Sequence, residues 1–205
     1  MTARTLITVP MKPLGLSKTR LSGALHPAAR TRLAHLLFTR TLAFLRPIAE
    51  AESCDLSVVT SSDAIRATAR GAGFAVISEG HEASLNGAAA CAAQAASEAG
   101  YGRLCLIPAD LAAPDAKDVR AFLKSDAPVT ICPSLDRGTN ALLLDLPSAF
   151  AFRFGPRSAL RHFEEASARG LTPRLMPLES LSFDIDTTAH LARAARIDPA
   201  FEVFA

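Results

Sequence analysis

Three aspartates and three basic residues carry the chemistry this sequence could perform. Asp110 follows the apolar run 103–107 and the turn Pro108-Ala109. A carboxylate just past a strand lies where open α/β sheets place their ligand crevice. It suits a hard divalent cation such as Mg2+, and the small Ala109 leaves room for a sugar or phosphates. Its alternative role is to cap a helix beginning near Pro114. Asp184 and Asp186 alternate with Phe183 and Ile185, so an extended segment turns both carboxylates to one side and the apolar pair to the core. Two like charges aimed together need a compensating cation or hydrogen bonds. A metal triphosphate supplies that compensation, and capping of a helix over 188–196 is the competing role for either residue.

Lys12, Lys18 and Arg20 lie in the loop 11–21, between a first strand and a first helix. Such a loop can close over phosphates: lysine neutralises them, and arginine grips two oxygens at fixed geometry. Neither the GxxxxGK[ST] pattern nor GxGxxG is present, which sets aside a P-loop ATPase and a dinucleotide-binding turn. Leu85 and Asn86-Gly87 head an alanine-rich stretch. The asparagine is suited to a purine edge or ribose hydroxyl, or equally to a cap-and-turn role. Arg137-Gly138-Thr139-Asn140 groups a guanidinium, a hydroxyl and an amide that fit a phosphorylated carboxylic acid, although Asn140 could instead steady the turn. Gly155 and Ser158 lead into a helix start with free N–H groups, where Ser158 is alternatively the N-cap. His162, one turn on, reads as a surface histidine or packed polar contact before it reads as a ligand.

Elements able to position these groups alternate along the chain. Strands are expected at 5–10, 56–60, 75–77, 103–107, 129–132 and 141–144, with a short one at 174–176. Helices are expected from about Pro27 to a stop or kink at Pro47, over 63–72 with Asp63 as N-cap and Gly73 as stop, and over 85–99 after a loop around Gly80. Others are expected from Pro114 to Lys124, over 158–168 and over 188–196. This order predicts an α/β fold: a single-domain, three-layer, Rossmann-like arrangement over residues 1–205, with a mostly parallel central sheet. The closely spaced strands around Arg137-Gly138-Thr139 predict a local antiparallel excursion.

Bulk properties narrow the partners. A chain of 205 residues with 49% hydrophobic and 20% charged residues has enough apolar surface to fold. A net charge of +2 argues for a small anionic ligand and against nucleic acid. Cys54, Cys91, Cys105 and Cys132 form neither a CxxC pair nor zinc-ligand spacing and read as buried thiols of a reducing compartment. No signal peptide or membrane-spanning run is visible, so a cytoplasmic location without membrane attachment is expected.

Taken in order, several fragments resemble the 2-phospho-L-lactate guanylyltransferase family of Rossmann-like nucleotidyltransferases. They are Val9-Pro10-Met11-Lys12-Pro13, Ser17-Lys18-Thr19-Arg20-Leu21, Leu85-Asn86, Pro108-Ala109-Asp110-Leu111, Gly138-Thr139-Asn140-Ala141-Leu142, Phe154-Gly155 with Ser158 and His162, and Asp184-Ile185-Asp186. The chain departs from the usual pattern at Thr19, where serine is frequent, at Ala112, where proline is, and in a short glycine run before Thr139. The resemblance implies transfer of GMP from GTP to 2-phospho-L-lactate, phosphoenolpyruvate or 3-phospho-D-glycerate, with pyrophosphate release, during biosynthesis of a deazaflavin coenzyme (F-420). Catalytic work would fall to Lys12, Lys18, Arg20, Asp110 and Asp186, and Mg2+ to Asp110, Asp184 and Asp186. Nucleotide contacts would come from Lys12, Lys18, Leu85, Asn86, Pro108 and Asp110, and acceptor contacts from Arg137, Thr139, Asn140, Gly155 and Ser158. A homodimer is allowed for. A cytidylyl- or molybdenum-cofactor-type transferase, or a nucleotide-binding module without turnover, would use much the same sheet.

Overall fold

A computed structural model describes residues 4–79 and 84–204; the loop expected around Gly80 lies outside the described residues. Seven strands form one sheet in the order β3-β2-β1-β4-β6-β5-β7. They are β1 (Thr5–Pro10), β2 (Asp55–Thr60), β3 (Ala75–Ser78), β4 (Arg103–Leu106), β5 (Val129–Pro133), β6 (Thr139–Asp145) and β7 (Pro173–Leu175). All neighbouring pairs are parallel except those made by β6, which runs antiparallel to both β4 and β5. The antiparallel excursion read around Arg137 is thus one strand inserted into a parallel sheet.

Both faces of the sheet are covered, which is why its inner strands are apolar on consecutive residues. Ile7, Val9 and Cys105 point into one core with helices α1 (Pro27–Ala51), α2 (Asp63–Gly71) and α4 (Ala116–Leu123). Leu6, Leu104 and Leu106 point into the other, with α3 (Leu85–Glu98) and α5 (Ser158–Ala168). Alanines 88, 89, 92 and 96 give α3 a smooth buried face, letting its backbone lie close to the sheet. After the short α6 (Glu179–Ser182), helix α7 (Thr188–Ile197) and a 3-10 turn at Pro199–Phe204 bury Leu191, Phe201 and Phe204 against Leu33 and Leu37 of α1.

Several boundaries differ from the sequence reading, each for a local reason. Helix α1 runs through Pro47 to Ala51. An interior proline costs about 3 kcal/mol, but Leu45, Ile48 and Ala49 on its inner face are buried in the core, and continuing the turn keeps them there. Ser62, not Asp63, caps α2, its hydroxyl accepting from the Ile65 N–H. Asp115 caps α4, which begins at Ala116 rather than Pro114. Asp110 is therefore not that helix's cap. Thr187 caps α7, so neither Asp184 nor Asp186 is used for it. At α5 the capping position is Arg157, at φ 53°, and Ser158 is the first helical residue.

Candidate active site

The site sits where the strand order turns back on itself. From β1 the chain proceeds outward one way to β2 and β3, and the other way to β4. At such a switch point the loops leaving adjacent strands part, and a crevice opens beyond their carboxyl ends. Pro10, Met11 and Lys12 leave β1 there, and Ile107 to Asp110 leave β4. Because β6 is antiparallel, its first residues, Thr139 and Asn140, reach the same end of the sheet. Together they line a cavity of about 250 Å³, joined by Ser17, Lys18, Leu85, Phe154 and Asp186.

Short backbone pairing draws the distant acidic segments together. Leu111 bridges antiparallel to Asp184. The Ile185 N–H donates to the Asp110 carbonyl at 3.1 Å, and the Ala112 N–H to the Phe183 carbonyl at 2.9 Å. Phe183 and Ile185 are buried, which turns the intervening carboxylates outward, as the alternation predicts. One carboxylate oxygen from each of Asp110, Asp184 and Asp186 falls within 4.8 Å of the others. Three hard oxygen donors at that spacing fit a divalent cation that keeps some of its water.

Two basic residues already answer this charge. Lys18, in a left-handed conformation at φ 55° and only 7% exposed, donates from Nζ to Asp110 Oδ2 at 2.6 Å and Asp186 Oδ1 at 3.4 Å. Burial alone would lower its pKa, but the attraction of Asp110 and Asp186 outweighs it and the pKa is raised. Arg20 is exposed and reaches Asp186 Oδ2 at 3.0 Å and Asp136 Oδ2 at 3.6 Å. Asp184 is the carboxylate whose ionisation is opposed: burial first, then the charge of Asp110, push its pKa up, against an Asn140 Nδ2 hydrogen bond of 3.2 Å that lowers it. Three carboxylates thus share Lys18 and an Arg20 that also reaches Asp136, so acidic groups outnumber their basic partners here.

The other site candidates divide. Lys12, Leu85, Pro108, Thr139 and Asn140 line the cavity with Lys18, Asp110 and Asp186, whereas Asn86, Arg137, Gly155 and Ser158 are not among its lining residues. Asn86 holds the chain segment over α3 and α5, accepting at Oδ1 from the Phe154 N–H at 2.7 Å and donating from Nδ2 to its carbonyl at 3.4 Å. Arg137 forms an exposed left-handed corner at φ 67°. A Cβ on Gly138 would lie 2.7 Å from Ser134 Oγ and 3.1 Å from Asp136 Oδ1, so a larger residue fits here only if those two side chains shift. Ser158 is buried beside this corner, and Gly155 has φ 128°.

Glu79 was not singled out by the sequence, and Phe154 entered there only as part of a resembling fragment, with no role of its own. Glu79 lines the cavity just past β3, its Oε1 accepting from the Ser84 N–H at 2.9 Å. The strand-end rule that picked out Asp110 applies to it equally. Phe154 also lines the cavity and packs edge-on against His162 at 4.7 Å between centroids. His162 is fully buried, a packed polar contact rather than a surface side chain. Burial first, and then the nearby Arg161, lower its pKa to about 4.

Set beside known proteins, residues 5–194 match the family model described as Guanylyl transferase CofC like. The chain belongs to that family. It is 36% identical over 187 residues to the 3-phospho-D-glycerate guanylyltransferase of Colwellia psychrerythraea, covering 90% of this chain and 88% of that protein. It is 35% identical over 190 residues to the phosphoenolpyruvate guanylyltransferase of Chloroflexus aggregans, covering 90% and 94%. The 2-phospho-L-lactate guanylyltransferase of Methanothermobacter thermautotrophicus is 31% identical over 191 residues, covering 92% and 82%. Among solved structures, one described as a nucleotide-diphospho-sugar transferase from Desulfovibrio desulfuricans superposes with a TM-score of 0.74 at 17% identity, covering 96% of this chain and 88% of that one. The mixed α/β nucleotidyltransferase fold expected from the sequence is the fold found. No described helix is long and apolar enough to cross a membrane.

Proposed function

We propose that this family member transfers GMP from GTP to a small phosphorylated acid in the cytoplasm, on the route to a deazaflavin coenzyme. Phosphoenolpyruvate, 3-phospho-D-glycerate and 2-phospho-L-lactate are the acceptors to try, since relatives are named for each. The observation that carries the reading is the convergence of Asp110, Asp184 and Asp186 beside Lys18 at the mouth of a cavity at the sheet's switch point. Bound there by the three carboxylates, Mg2+ would supply positive charge to the phosphates and make the α-phosphorus more electrophilic.

This chain's own residues do the remaining work. An oxygen of the acceptor phosphate attacks the α-phosphorus in line; the new P–O bond forms as the bond to the bridging oxygen breaks, and pyrophosphate leaves. The attacking oxygen is already anionic, so no side chain need take a proton. Lys12 at the cavity edge and Arg20 beside it meet phosphate charge. Leu85 and Pro108 give the nucleoside an apolar seat, and the corner carrying Thr139 and Asn140 faces the acceptor. Positioning and charge neutralisation account for the acceleration.

A matrix of GTP, CTP and ATP against the three acids, with Mg2+ or with EDTA, is read by mass spectrometry of the products. A guanylylated acid formed only with GTP and only with metal is expected. A cytidylylated product, or full turnover in EDTA, overturns the respective part of the reading.

A further inference from the structure

The buried histidine has its hydrogen-bonding fixed from one side. The Arg153 backbone N–H donates to His162 Nε2 at 2.8 Å. A ring nitrogen that accepts from an N–H bears no hydrogen itself, so Nε2 is the unprotonated nitrogen. Turning the ring over would put carbon at both contact points and lose both hydrogen bonds. Burial keeps the ring neutral around pH 7, so its single hydrogen is on Nδ1. The partner of Nδ1 is Thr139 Oγ1, at 2.9 Å. Nδ1 must donate in this contact and the hydroxyl oxygen must accept. The hydroxyl's own hydrogen is thereby turned away from the ring, and Thr139 lines the cavity. No acceptor among the described residues takes that hydrogen.

We propose that His162 is a positioning residue that holds the Thr139 hydroxyl as an acceptor toward the ring, leaving its proton to donate on the side away from it, so that the site favours an oxyanion of the acceptor at this point. The assignment of Thr139 to the acceptor rests on the proposed guanylyl transfer; the direction of the hydroxyl does not. An unconstrained threonine hydroxyl rotates and serves donors and acceptors alike. The relay Arg153 N–H to Nε2, then Nδ1–H to Oγ1, restricts that freedom before any ligand arrives, so less of the binding energy is spent on ordering it. It also explains a fully buried polar ring: both nitrogens are satisfied, as burial demands. Phe150 and Phe154, at 5.5 and 4.7 Å between ring centroids, fix its plane.

Two measurements test this. Long-range 1H–15N correlation on the intact, substrate-free protein at pH 7, with His162 assigned through its own backbone, is expected to show protonated Nδ1 and unprotonated Nε2. The opposite tautomer or an imidazolium overturns the proposal. The second is a kinetic cycle of Thr139→Val, His162→Phe and the double variant. Each single change is expected to raise the KM of the acceptor about ten- to hundredfold, the worth of a hydrogen bond to a charged group, with the KM of GTP within about twofold. The double variant should be no worse than Thr139→Val alone, since His162 acts through that hydroxyl. Additive losses, or equal losses for both substrates, refute it. If no acid is guanylylated at all, the function falls, while the NMR result still decides the orientation of Thr139.

Discussion

Replacing Asp110 by asparagine separates a metal-holding role from a structural one, because the structure puts different magnitudes on the two. In the folded protein Asp110 Oδ2 takes a 2.6 Å hydrogen bond from Lys18, whose side chain is 5% exposed, while that of Asp110 is 31% exposed. Asparagine keeps an oxygen in that place, so what is lost is the charge part of a hydrogen bond between a buried lysine and a partly exposed carboxylate, about 1 kcal/mol. Lys18 still has Asp186 at 3.4 Å. Against the loss, Asp184 is relieved of a like charge that opposes its ionisation. The net effect on stability is therefore about 1 kcal/mol or less, about 2–4 °C in Tm for a chain of this size. Catalysis has no such compensation. One of three ionised oxygen donors is gone from around the reacting phosphates, and about 3–4 kcal/mol of transition-state stabilisation, about 10²–10³ in kcat/KM, should go with it. Pyrophosphate release with saturating Mg2+, beside thermal unfolding of the same preparation, measures both. A variant that keeps more than a tenth of wild-type kcat/KM, or one whose Tm falls by more than about 10 °C, would refute the reasoning.

Three other outcomes are expected. Lys18→Met leaves the acidic cluster without its buried cation and, because the carboxylates of Asp110 and Asp186 are partly exposed to water, should cost about 1–3 kcal/mol, of which added Mg2+ restores more than it adds to the wild type; equal Mg2+-dependent Tm gains in the two proteins would contradict a metal site at the three aspartates. Asn86→Ala frees both backbone groups of Phe154, so hydrogen exchange at Phe154 should accelerate while global stability falls by about 1–2 kcal/mol; unchanged exchange there would show that the clamp is not needed. Finally, His162 has a folded pKa lowered from 6.5 to about 4, so the unfolded chain binds its proton first as the pH drops. The stabilisation is complete above about pH 6.5 and is lost towards about pH 4, by about 3 kcal/mol. Urea unfolding across that window should show this loss in the wild type and a smaller one in His162→Phe.

Much of the fold was legible in the chain's pattern. Apolar runs such as Leu104 to Ile107 between helical periodicities fix strands buried on both faces, and their alternation with helices dictates a mostly parallel sheet. The outward pairing of Asp184 and Asp186 was legible too, because period two follows from the geometry of an extended backbone. Helix ends were less so. Ser62, Asp115 and Thr187 won the capping positions from aspartates one or a few residues away, and the contest is settled by which side chain lies over the free N–H groups.

What the chain by itself determined is the inventory: hard oxygen donors past strand ends, a basic loop, a polar corner at Arg137 to Asn140, and the family those fragments belong to. Only the folded structure decided who meets whom. Lys18 is 92 and 168 residues from its two acidic partners, and no local rule foretells that its charge answers those aspartates at the cavity it lines. Likewise, the direction of the Thr139 hydroxyl depends on an N–H at Arg153 acting through a ring at 162. Local periodicity reports on burial, which neighbours in sequence share. Charge pairing and hydrogen-bond polarity depend on contacts between distant segments, which exist only once the strands have taken their order.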